Sequence, residues 1–264
     1  MRNQLPIEFL YQLFSLFVAV ILIHSVYVSV IRPEANQILQ QQALEINANP
    51  NYIPERSTYV VIRDFEQEAC FILMLWALAL MAYKANLTRQ ERQILNMNLI
   101  AIDSGTSILP EDCREYARPV QALTAVQQTL LLPRALLTGL HRFRSTRNIQ
   151  DVATAIRGIC ESESDRLDSE LAMIRYIAWA IPSIGFLGTV RGIGQALSQA
   201  HQAAQGNIAG VTQSLGVAFN STFVALLISI LVMFLLHQLQ LAQERLVQDA
   251  EAYCDNQLIG HLQS

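Results

Sequence analysis

The chain has 264 residues, of which 52% are hydrophobic and only 15% charged, and its mean hydropathy is +0.27. Soluble domains carry about 25% charged residues, so a large water-solvated surface is excluded, and so is disorder. A net charge of −4 excludes the basic face that nucleic-acid binding requires. The fold class that remains is all-α, a polytopic membrane protein with four transmembrane helices and a helical cytoplasmic domain between spans two and three.

The first span is 9–31, preceded by Arg2. It is longer than the apolar core of a signal peptide and no small-residue cleavage site follows, so it is expected to remain as an anchor. An outer loop is expected over 32–68. The second apolar run, 69–83, covers only about 22 Å as helix. It is therefore expected to start earlier, near 66, and with the first span to form a membrane hairpin over 1–83.

Residues 84–175 hold 12 of the 18 Lys and Arg residues, against three in 32–68 and none in 198–214. The positive-inside rule thus places 84–175 and both termini in the cytoplasm. Asn148, with Asp151 three residues on, reads as an N-cap. The apolar spacing from Val152 to Ala178 predicts one continuous helix rising into the third span. It is expected to pack against 85–109 and 120–143, with breaks at Pro110, Pro119 and Pro133.

The third span, 176–197, contains "IPSIGFLGTVRGIG", and the fourth is 215–237. Together, 176–237 form a second membrane hairpin joined by a short outer loop, and 238–264 form a cytoplasmic C-terminal helix or tail. On a helical wheel, Gly185, Gly188, Thr189, Gly192 and Ala196 share one stripe, and Arg191 lies on another face. In the fourth span Ser214, Ala218, Ser221, Thr222, Ala225 and Ser229 share one face. Small residues let backbones approach where lipid supplies little drive for helix association, so these faces are expected to meet. Pro182 frees the carbonyl of Ala178, which then needs another partner. A hydroxyl-lined, backbone-polar seam suits a narrow, hydrated path.

From Leu171 to Gln243 there is no Asp, Glu or Lys. A proton path confined to these spans has no carboxylate, so the titrating group is expected from a partner. For Arg191 two readings stand: a charge at the ion entrance, or a structural pair with Asp64, Glu66 or Glu68. His24 reads as interfacial or bonded to a neighbouring helix.

Enzyme signatures are missing. Leu197 stands where a G-x-G-x-x-G would need glycine, and Lys84, the only lysine, is not in a phosphate-binding loop. The four cysteines and five histidines are scattered, so neither a disulfide framework nor a metal site is expected.

The third-span stretch resembles the A-P-x-x-G-x-x-G-T-V-x-G signature of the TolQ/ExbB/MotA proton-channel family, with Pro182, Gly185, Gly188, Thr189, Val190 and Gly192 in place. Ile181 stands where that family has Ala. "VAFNSTFVAL" is similar to the family's A-L-x-x-T-x-x-G-L, with Ala218 and Thr222 matching, Phe219 for Leu and Ala225 for Gly. The resemblance implies a subunit of an ion-driven motor in the bacterial inner membrane. It further implies a pentamer around a dimer of a single-span ExbD/TolR/MotB-like partner whose membrane Asp carries H+ or Na+, with no other cofactor. Thr189 and Thr222 would line the ion route. Pro182, Gly185, Gly188, Gly192, Ala218, Ser221 and Ala225 would serve as hinge and packing positions. The competing expectation is a non-conducting membrane scaffold that recruits proteins through 84–175.

Overall fold

The computed structural model describes residues 7–49, 55–97, 99–100, 107–206 and 208–263, without the side chains of 7, 8 and 47. Among them the chain is helical. In order come α1 (Ile7–Val26), a π-helical turn (Tyr27–Ile31), α2 (Arg32–Ala48), α3 (Thr58–Val61), α4 (Phe65–Leu95), α5 (Cys113–Gln121) and α6 (Ala125–Gln128). They are followed by α7 (Leu131–Thr146), α8 (Ile149–Glu170), α9 (Ala172–Ser198), α10 (Ala200–Ala204), α11 (Ala209–Gln257) and a 3₁₀ turn (Ile259–His261). Ile108 and Leu262 form an isolated parallel bridge, and no strand occurs among the described residues. Among the described residues four helical stretches are long and apolar enough to cross a membrane, so the chain is an all-α polytopic membrane protein.

Two units divide the chain: 1–81 with 173–236, and 82–172 with 237–264. In the first, many large apolar side chains point outward while small residues are buried between helices. Phe14, Phe17, Phe186, Leu187, Val190 and Phe223 are exposed, whereas Ala19, Ala77, Gly185, Gly188, Gly192 and Ala218 are buried. This is a solution suited to lipid, where apolar surface outside costs nothing and close backbone contact holds helices together. α1 is tied to α4 by Tyr11 Oη donating to the Ala79 carbonyl (3.1 Å) and Trp76 Nε1 donating to the Gln12 carbonyl (3.0 Å).

The stretch 32–68, expected as loop, begins with a helix. α2 runs on from the first span through the π turn, with Pro33 in its first turn. A proline there lacks the N–H of its turn and crowds the preceding carbonyl; the wider π turn just before it absorbs that demand.

The second unit has its own core. Leu132, Leu136, Leu140 and Phe143 of α7 pack with Val152, Ile156 and Cys160 of α8, and with Val247, Cys254 and Leu258. α7 ends at Arg147 in the left-handed region (φ 55°). Asn148 Oδ1 then accepts the Gln150 N–H (2.9 Å), capping α8. A Cβ added at Gly139 would lie 2.9 Å from Leu258 Cδ2 and 3.0 Å from Ile156 Cδ1, so glycine here permits the close crossing.

As expected, the helix from Asn148 rises into the third span as one stretch, Ile149–Ser198, tightened only at Leu171, whose N–H bonds back to Asp168 and whose backbone stays right-handed helical. One sequence expectation needs correction. Pro119 does not break its segment but sits inside α5, and Pro133 lies in the first turn of α7, where its missing N–H has no intrahelical partner to lose.

Candidate ion-conducting seam

Within the first unit, α9 and α11 meet along their small faces. A Cβ added to Gly185 would stand 2.5 Å from Ala225 Cβ, to Gly188 2.5 Å from Ser221 Cβ, and to Gly192 2.7 Å from Ala218 Cβ. These separations are below any real carbon–carbon contact, so the three glycines set the distance between the two backbones. Gly194, four residues after the family-type Val190 and off this stripe, faces open space.

At the centre of the contact the hydroxyls of Thr189 and Thr222 hydrogen-bond each other. Thr189 Oγ1 also lies within reach of the carbonyls of Gly185 (3.3 Å) and Ala218 (3.2 Å), and Thr222 Oγ1 within reach of the Gly185 carbonyl (3.2 Å). Both threonines are half-buried. Each hydroxyl has one proton to donate, so the two share three acceptor sites and retain room to rotate. The product is a patch of hydroxyl and carbonyl oxygens between apolar helices.

Pro182 lies inside α9. It leaves the Ala178 carbonyl without its helical N–H, and the Ser229 hydroxyl of α11 donates to that oxygen at 3.3 Å. The helix continues through the proline because a facing side chain replaces the missing donor.

Arg191 points away from the threonines. Its Nη2 donates to Glu66 Oε2 at 2.7 Å, in the first turn of α4. The next two residues of α4 are also engaged: Gln67 Nε2 donates to Ser221 Oγ (3.3 Å) and to the Val61 carbonyl (3.2 Å), and Glu68 pairs with His24 Nδ1 (2.7 Å) and with Arg32. His24 is thus bonded to a neighbouring helix. Gln67 and Glu68 are almost fully buried. Sequence reasoning named Glu66 and Glu68 only as partners for Arg191 and passed over Gln67. The available signal was a run of three polar residues, Glu66 to Glu68, directly before an apolar span.

The second unit holds a separate charged cluster. Glu163, 3% exposed, accepts from Arg134 Nη2 (2.7 Å) and from Arg166, while Lys84 Nζ donates to Glu170 Oε2 (2.8 Å). Burial pushes the Glu163 carboxyl upward, but the hydrogen bonds from Arg166 and Arg134 outweigh it and hold the group below the ordinary carboxylate value. Glu91 goes the other way: burial and the Glu163 charge raise it, against the hydrogen bond from the Leu131 N–H. Burial and nearby carboxylates also push the Cys160 thiol up to about 11, and Cys254 and Cys113 are raised by burial. All four cysteines are free and buried, so these thiols are inert packing groups. No set of three or more His, Cys, Asp or Glu side chains suited to a metal occurs among the described residues.

Comparison with curated proteins and with solved structures gave no match. The seam and much of the second unit fall within a segment, residues 127–252, that matches the sequence model of the MotA/TolQ/ExbB proton channel family. Over that segment the chain is similar to the MotA/TolQ/ExbB proton channel family.

Proposed function

We propose that this chain is the channel-forming subunit of an ion-motive-force-driven motor in the bacterial inner membrane, with both termini cytoplasmic. In this reading five copies surround a dimer of a single-span ExbD/TolR/MotB-like partner, whose membrane Asp takes and releases H+ or Na+ opposite Thr189 and Thr222. The observation that carries it is the Thr189–Thr222 hydroxyl pair with the Gly185 and Ala218 carbonyls, an oxygen-lined patch in an otherwise apolar helix contact. Apolar side chains flanking the patch, Phe186, Val190, Phe219 and Phe223, are exposed and suit contact with lipid or further chains. One charge crossing is worth about 2.3 kcal/mol per 100 mV, enough to drive a step of a few kcal/mol with one or two ions.

The test is co-expression with a short protein from the neighbouring reading frame that has one N-terminal span containing Asp. Native mass spectrometry counts subunits, and proteoliposomes report proton or sodium flux. The expected result is a mixed oligomer whose flux is lost in Thr222→Val while assembly persists. A complex that assembles but shows no flux in the wild type supports instead a scaffold acting through 84–175.

A further inference from the structure

The spans that bear the seam have no carboxylate of their own, yet the fold brings one to them. Glu66 enters from α4 and pairs with Arg191, 125 positions away in sequence. A Cβ added to Gly188, the neighbour of Thr189, would lie 3.1 Å from Glu66 Cγ, so this side chain lies against the same turn of α9 as the threonine pair. Beside it, Gln67 reaches Ser221, the residue before Thr222.

This unit also holds unsatisfied polar atoms. Among the described residues, four buried side-chain atoms have no hydrogen-bond partner, and three belong to this unit: Tyr27 Oη, Gln67 Oε1 and Arg191 Nε. Gln67 is fully buried, and Tyr27 is 1% exposed with the Arg32 guanidinium 5.7 Å from its ring centre. An acceptor, a donor and a hydroxyl left unpaired in a low-dielectric region each cost free energy unless water bonds to them. Gln67 Oε1 and Arg191 Nε, on the residues that reach Ser221 and Glu66, are thus sites where water would be bound beside the seam.

We propose that Glu66 is a proton-relay group on the ion route, supplied by this chain in addition to the partner's carboxylate. The inference rests on reading the seam as an ion path. The carboxylate takes a proton from water at the α4 N-terminus and releases it to water on the threonine side; only O–H bonds form and break, and Glu66 returns to its ionised state. The other charges around it are Glu68, bound to His24 and Arg32, and Asp64, 3.6 Å from Arg63.

The test is proton flux in proteoliposomes holding the full complex, for wild type, Glu66→Gln, Glu66→Gln with Arg191→Gln, and Thr222→Val as reference. A relay predicts that Glu66→Gln loses about tenfold or more of the flux with the oligomer intact, and that removing both charges does not restore it. If Glu66 only neutralises Arg191, the double variant recovers wild-type flux and the inference is overturned. It is overturned alone if Thr222→Val is silent while Glu66→Gln conducts normally. An assembled wild type that does not conduct overturns both this inference and the ion-path reading.

Discussion

The hydroxyls of Thr189 and Thr222 are hydrogen-bonded to each other and converge on a shared backbone acceptor, the Gly185 carbonyl. Two residues 33 apart in sequence thus form one unit, and their substitutions should not act independently. In detergent, Thr189→Val and Thr222→Val are each expected to cost about 0.5–1.5 kcal/mol, and the double variant less than the sum. Thermal unfolding of the four proteins checks this; strict additivity would show that the pair is not coupled. Neither change is expected to disperse the oligomer, because the glycine contacts hold the helices.

Those glycine contacts predict steep size dependence. Gly185→Ala, Gly188→Ala and Gly192→Ala each place a methyl group within 2.7 Å of a facing Cβ, so the helices must separate. A loss of about 1–3 kcal/mol is expected from each. Gly194→Ala meets nothing within 4 Å and should be neutral or stabilising by up to about 1 kcal/mol. Equal effects at Gly188 and Gly194 in a melting experiment would contradict the close approach.

Ser229 and Pro182 should be coupled through the Ala178 carbonyl. With proline present, Ser229→Ala leaves that oxygen without a donor and is expected to cost about 1 kcal/mol. With Pro182→Ala, the backbone N–H regained at that position serves the carbonyl, and the serine becomes dispensable. A double-mutant cycle on melting temperature measures the difference; no interaction between the two sites would remove the replacement-donor account.

In the second unit, Glu163 and Glu91 predict opposite pH signatures. The Glu163 carboxyl is held below the usual 4.5, so its contribution is present above that pH and fades as pH falls through its lowered value. Glu163→Gln should cost about 1–3 kcal/mol at pH 7 and progressively less toward pH 3. Glu91 is raised above 4.5, so its ionisation opposes folding as pH rises past that value. Glu91→Gln keeps an acceptor for the Leu131 N–H and should stabilise the fold at pH 7 by on the order of 1 kcal/mol, read as a higher melting temperature, but not at low pH. Melting curves of the two variants across this range should diverge in opposite directions from wild type.

The Asn148 cap, the small-residue stripes and the four apolar stretches are local patterns. They depend on the 3.6-residue repeat, on side-chain size and on hydropathy, all of which the linear chain carries by itself. The all-α membrane class and the two faces that meet were therefore legible before any coordinates. So was the need of the Ala178 carbonyl for a second donor, since a proline removes an N–H wherever it stands in a helix.

Which groups answer those needs was decided only by the tertiary structure. That Ser229 serves Ala178, that the two threonines bond each other, and that Arg191 takes Glu66 rather than Asp64 or Glu68 depend on the rotation and height of one helix against another. A shift of one residue along a helix turns a side chain by about 100°, so no periodicity specifies such a pairing. The helical start of 32–68 was likewise not recorded in the chain's own spacing: a π turn carries the first span on into α2. The absence of a carboxylate between Leu171 and Gln243 is a fact of sequence; that α4 brings Glu66 against Gly188 is a fact of packing.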